Sequence, residues 1–176
     1  MSFSGGHGLV AENEAIRAYL YGLLDAEPQP SIHPPIPSEQ GWRRFRRGRL
    51  WLALPRHRVL AVTFPPHLMR PLPDAPEEVL GSAEWGARKL LVLDPSVIMD
   101  DRGTRPEGLF WHGVLVVLDG GWWALACDDE GDEWTALPEG ALLREGGASR
   151  PWLAGVHPDS ATVLIHPDGL TTGLRS

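Results

Sequence analysis

Between Trp42 and Arg58 the chain reads WRRFRRGRLWLALPRHR, with no Asp or Glu in it. Seven arginines lie there: Arg43, Arg44, Arg46, Arg47, Arg49, Arg56 and Arg58. An arginine fork pairs bidentately with phosphate or carboxylate and also stacks on aromatic rings. Trp42, Phe45 and Trp51 are interleaved with these arginines. The chain has 16 basic residues, so nine remain elsewhere against 23 acidic ones. A basic stretch on an acidic body points to an anionic partner, or to an acidic face of the same protein. The candidate partners are an acidic protein and a nucleic acid. A net charge of −7 argues against duplex binding over the whole surface, which favours a single strand stacked on the aromatics. Arginine outnumbers lysine fifteen to one, so compositional bias also enriches the stretch.

Other groups offer chemistry but lack a partner set. Asp128, Asp129, Glu130, Asp132 and Glu133 crowd one expected turn. Their spacing does not match the twelve-residue calcium loop. They suit a solvated turn guarding a sheet edge, or an internal counter-surface for the arginines. His157-Pro158-Asp159 and His166-Pro167-Asp168 repeat a triplet that holds metal or acid–base groups. A strand of five residues between them spans roughly 17 Å, which puts the two at opposite ends. Pro-Asp-Ser and Pro-Asp-Gly are turn chemistry. His112 reads as a core residue on a strand, and Cys127 as a small core residue whose acidic neighbours disfavour the thiolate. Asp100 and Asp101 share their loop with Arg102 and Arg105. No G-x-S-x-G elbow, phosphate-binding glycine loop or H-E-x-x-H occurs. No metal or cofactor is expected.

The elements that position these groups follow from periodicity. Ile16, Tyr19, Leu20, Leu23 and Leu24 form one helical stripe, with Asn13 as its expected cap and Pro28 as its stop. Residues 27–37, EPQPSIHPPIP, form an extended connector. Ser38 and Gly48 then bracket an expected short helix over 39–47, with Trp42 and Phe45 on its core side. Residues 49–54 and 58–64 read as two strands joined at Pro55-Arg56-His57. Short helical turns are expected at 76–80 and 82–88, then a buried strand at 89–94. Residues 109–137 predict a three-stranded antiparallel meander turning at Asp119-Gly120-Gly121 and at DDEGDE. Val114 to Leu118, apolar on both faces, is its central strand. Residues 141–144 and 161–165 read as short strands, with LTTG returning as a hairpin. Trp122 and Trp123 point to opposite faces, which leaves one of them available to an exposed patch.

The fold class predicted is α+β with a mainly antiparallel sheet. A helix with a mobile glycine-rich start occupies 1–26, the connector 27–37, and one β-rich domain 38–176. The single cysteine excludes an internal disulfide, and no apolar run is long enough to cross a bilayer. The start lacks a basic segment followed by an apolar one, so a cytoplasmic protein is expected. Charge segregation without a catalytic constellation favours a non-enzymatic interaction protein. The contact set is then Trp42, Arg43, Arg44, Phe45, Arg46, Arg47, Arg49, Trp51, Arg56 and Arg58. The alternatives are a small enzyme using Asp100, Asp101 and His112, and a subunit of a homo-oligomer docked through its helix and proline strap.

Overall fold

Two apolar runs dominate the interior, LWLALP at 50–55 and VLVVL at 114–118, and each lies inside a different sheet. The computed structural model describes residues 5–24, 41–64, 69–99, 113–143 and 150–171, with helix side chains from Asn13 on. In chain order these form α1 (Gly5–Leu24), β1 (Trp42–Arg47), β2 (Leu50–Pro55), β3 (Val59–Thr63), β4 (Val79–Trp85) and β5 (Arg88–Leu93). Then come α2 (Pro95–Ile98), β6 (Val114–Leu118), β7 (Trp123–Cys127), β8 (Asp129–Trp134) and β9 (Leu142–Leu143). The chain continues through β10 (Leu153–His157), β11 (Thr162–Ile165) and α3 (Pro167–Thr171).

The first sheet has the order β8-β1-β2-β11-β10-β9, the second β3-β6-β7-β5-β4. Every pairing is antiparallel except β2 with β11 and β5 with β7. The α+β class, the dominance of antiparallel pairing and the N-terminal helix agree with the sequence reading. Between the sheets lies the main core. Phe45, Leu50, Leu52 and Leu54 come from the first sheet, and Leu93, Val116, Leu118 and Leu125 from the second. Ile16, Leu20 and Leu23 of α1 join this core, so the helix packs on the body through its apolar stripe. The Tyr19 hydroxyl also donates to the Met99 carbonyl at 2.7 Å. The opposite face of the second sheet carries a separate buried cluster, Leu90, Val92, Leu115 and Val117 with Met69 against them. That of the first carries Trp42, Ala53, Ala154 and Leu164, with Trp134 against them. Covered faces on both sides explain why β2 and β6 lack polar alternation.

Several elements differ from expectation. Residues 42–47 are a strand, not part of a helix. Trp42 and Phe45 are three apart, so in a strand they lie on opposite faces. Each face is packed: Trp42 is 1% exposed in the outer cluster and Phe45 0% exposed between the sheets. β6 and β7 pair across Asp119-Gly120-Gly121 as expected, the two glycines holding φ of 92° and 72°. The third strand of the expected meander, β8, leaves that sheet and pairs with β1. β2 and β3 are likewise split between the sheets. At 76–80 the Val79 amide closes a turn on the Pro76 carbonyl at 3.0 Å, and β4 starts from it. The turn expected at 82–88 is replaced by β4 and its hairpin to β5, with a register shift between Val79 and Gly81. LTTG does not return as a hairpin; Leu170 and Thr171 end α3, with Pro167 and Asp168 in its first turn. Helix α1 begins well upstream of Asn13, because no breaker stands between Leu9 and Glu12 to stop it propagating. The connector at 27–37, the Asp100-Asp101 loop and His112 lie outside the described residues.

Candidate functional site

The arginine strand sits between β2 and β8, and β8 carries most of the acidic cluster. The register sets Arg43 opposite Glu133 and Arg46 opposite Asp129, with a shift between Arg43 and Phe45. Arg43 pairs with Glu130 and reaches Glu133 at 3.4 Å. Arg46 lies 3.6 Å from Asp129 and 3.8 Å from Asp128. Arg56, 67% exposed, lies 3.8 Å from Glu133. The carboxylates read as a turn therefore form a strand, and they act as counter-charges to the arginines beside them. Opposite charges across a ladder are worth a few tenths of a kcal/mol to about 1 kcal/mol each.

Arg47 is the deepest of the set, 3% exposed. Its Nε and Nη2 donate to the two oxygens of Asp94 at 3.1 and 3.0 Å, and its Nη1 donates to Asp128 at 3.1 Å. Asp94 is fully buried and also caps α2, accepting from the Ser96 amide at 3.0 Å and its hydroxyl at 2.6 Å. Burial opposes the Arg47 charge, but the hydrogen bonds and charge of Asp94, with Asp128 behind, outweigh it and raise the pKa. Since β1 and β5 belong to different sheets, this ion pair ties the sheets together.

Arg44 lies on the other face. Its guanidinium carbon stands 4.7 Å from the ring centroids of both Trp51 and Trp134, and Nη2 donates to the Thr162 hydroxyl at 3.0 Å. Desolvation lowers its pKa, with Asp132 opposing. Gly131 makes room for this stack, since a Cβ there would meet the Trp51 ring. Arg58 pairs with Asp168 and, at 2.8 Å, with Asp119. The bonds to Asp168 hold its charge firmly, against a smaller burial effect. Arg49 follows the Gly48 turn, where φ is 62°. The structure thus gathers the predicted residues on β1, β2 and the turn after them. It places Trp42 and Phe45 in the core, and sets Arg43, Arg44, Arg46, Arg47, Arg56 and Arg58 against internal carboxylates or rings.

The histidine triplets flank β11 as expected. The Nδ1 of His157 lies 2.6 Å from the Ser160 hydroxyl and its Nε2 3.0 Å from the Glu139 carbonyl. Among the described residues no three His, Cys, Asp or Glu side chains converge as metal ligands would. Cys127 is fully buried, and desolvation pushes its thiol pKa far up, so it is no nucleophile in the folded state.

Sequence reasoning missed a different set of exposed residues. β3 is the outermost strand on one side of the second sheet, and its register with β6 shifts at Leu60. Leu60 is 50% exposed and Phe64, just past the strand, 81%. Beside them stands one residue the sequence did anticipate: of Trp122 and Trp123, Trp122 is the exposed one, at 66%, and it follows the β6–β7 turn at the end of the sheet where β3 begins. The LAVTF run carries the signal of Leu60 and Phe64, but it reads only as a strand, and a strand's own residues do not say whether it ends a sheet.

No protein-family model matches the chain, and no curated protein matches it. Among solved structures, the scaffolding protein TtCheW from Thermoanaerobacter tengcongensis shares the fold, with a TM-score of 0.56 and 14% sequence identity. The match covers 73% of this chain and 89% of that one. Among the described residues no helix is long and apolar enough to cross a membrane.

Proposed function

We propose that the protein is a non-enzymatic interaction module that holds a protein partner along the outer edge of β3. The observation that carries this reading is the exposure of Leu60 and Phe64 on that edge. Among the described residues no strand pairs with its outer side. An edge of unpaired backbone with large apolar side chains is a template for another strand. The likeness in fold to a scaffolding protein supports the same reading. An anionic partner meeting the arginine strand would first have to break the ion pairs to β8. The partner is therefore read as a protein offering an apolar strand, rather than a nucleic acid.

The test is affinity capture from an extract of the protein's own cells, comparing the wild type with Leu60→Lys/Phe64→Ser. Re-exposing two anchors costs about 2 kcal/mol, more than tenfold in Kd. A partner held by the wild type and lost by a variant with unchanged circular dichroism supports the site. Equal recovery by both proteins refutes it.

A further inference from the structure

We propose that the open end of the β4 edge, beyond Ser82, takes up an acidic, extended peptide by strand addition. β4 is the outermost strand on the other side of the second sheet. Its outward backbone groups are already used once. The Ser82 amide donates to the Arg70 carbonyl at 2.8 Å, and the Arg70 amide donates to the Ser82 carbonyl at 2.9 Å. Outward pairing recurs every second residue along an antiparallel strand, so Glu84 presents its N–H and C=O to the same side. Among the described residues no backbone group meets them.

A cavity of about 470 Å³ opens there, lined by Arg70, Ser82, Glu84, Gly86, Arg88 and Lys89 among others. Three cations and one carboxylate stand around it, in a chain whose net charge is −7. Neither Arg70 nor Lys89 has an ion-pair partner among the described residues. Arg88 is held in place: its Nη1 donates to the Gly120 carbonyl at 3.0 Å, and its guanidinium fills the space a Cβ on Gly121 would need. The two glycines of the β6–β7 turn therefore seat a cation as well as closing a hairpin. Carboxylates two residues apart on an added strand stand on one face roughly 7 Å apart, within reach of arginine and lysine side chains. The cations supply orientation and charge, and the Glu84 backbone supplies the ladder.

The inference rests on the reading of the protein as a binding module but uses the opposite edge of the sheet. The test uses the full chain and a fluorescein-labelled (Glu-Val)4 peptide, followed by anisotropy at 50 and 300 mM NaCl. The expected result is saturable binding at low salt that weakens at high salt and is not matched by (Lys-Val)4. Arg70→Glu/Lys89→Glu is expected to weaken binding at least tenfold. Glu84→Pro removes the outward N–H together with a repelling carboxylate, a change tolerated on an edge strand. It is expected to weaken binding, whereas a site of charge alone would bind more tightly. A (Glu-Val)4 peptide N-methylated at alternate amides tests the same bond on the unaltered protein. Absence of binding at 50 mM NaCl overturns the proposal. So does indifference to the charge reversal, or full affinity of the N-methylated peptide. Displacement by millimolar inorganic phosphate would show a simple anion site instead and overturn it too. All variants leave Leu60 and Phe64 intact, so partner capture through β3 persists if only this proposal fails.

Discussion

Replacing Arg47 by Met removes the cation that holds both oxygens of the fully buried Asp94 carboxylate. Asp94 accepts four hydrogen bonds, two from Arg47 and two from Ser96. The variant keeps the Ser96 pair and loses the other two together with the charge. Breaking a buried pair from one side costs about 3–5 kcal/mol. The surviving Ser96 bonds put this case near the lower end, at about 3 kcal/mol. That is a large share of the 5–15 kcal/mol typical of a domain. Urea unfolding followed by tryptophan fluorescence measures it. With an m-value of about 2 kcal/mol/M, the midpoint falls by about 1.5 M. Arg47→Met/Asp94→Asn removes the stranded charge while leaving an acceptor for Ser96, and should recover roughly half the loss. A single variant within about 1 kcal/mol of wild type would refute the role given to the pair. A double variant no more stable than the single would refute it as well.

Arg44→Lys should cost about 1–2 kcal/mol in urea unfolding and shift tryptophan emission, because lysine cannot lie flat between Trp51 and Trp134. Gly131→Ala should destabilise by about 1–3 kcal/mol, since the new methyl displaces Trp51, and thermal unfolding will show it. For Cys127 the folded-state pKa is raised while the unfolded thiol ionises near 8.5. Above that pH the unfolded chain binds fewer protons, so stability falls as pH rises. The stability of the wild type relative to Cys127→Ala should therefore drop by about 2 kcal/mol between pH 8 and pH 10. Measured ΔG at the two pH values checks this, and no change between them would contradict the assigned burial.

β6 and β7 were legible as short apolar runs that meet at an Asp-Gly turn, and the stripe of α1 by its helical period. β1 was not, because two aromatics three apart satisfy a helix face as well as two packed faces of a strand. Only the second sheet, brought alongside, decides between them. β4 was obscured by its Leu-Gly-Ser-Ala core, small residues that announce neither period. The arginine stretch and the acidic cluster were both visible as charge, and their mutual neutralisation was among the readings open from sequence. Their pairing depends on β8 crossing to the other sheet, a long-range event with no local mark. Asp94 had no mark of its pairing, since it reads only as the last residue of the buried strand at 89–94; in the structure it also caps α2. The exposed edges at Leu60 and Glu84 follow from strand order, and strand order is set by the two parallel pairings that periodicity does not predict.

That strand order also bears on how the chain is made. The second sheet is drawn entirely from residues 59–127, a continuous stretch. The first needs β2 beside β11, so Trp51 must wait for Thr162. During synthesis, at about 5–20 residues per second, the edge of β2 therefore emerges several seconds before its neighbour exists. Contacts so distant in sequence also slow folding. The arginine strand and its β8 counter-charges arrive sooner, and they offer a polar, mutually satisfied flank while β2 is open. An in-frame stop before residue 162 should leave a chain whose second sheet can close but whose β2 invites chaperones and aggregation.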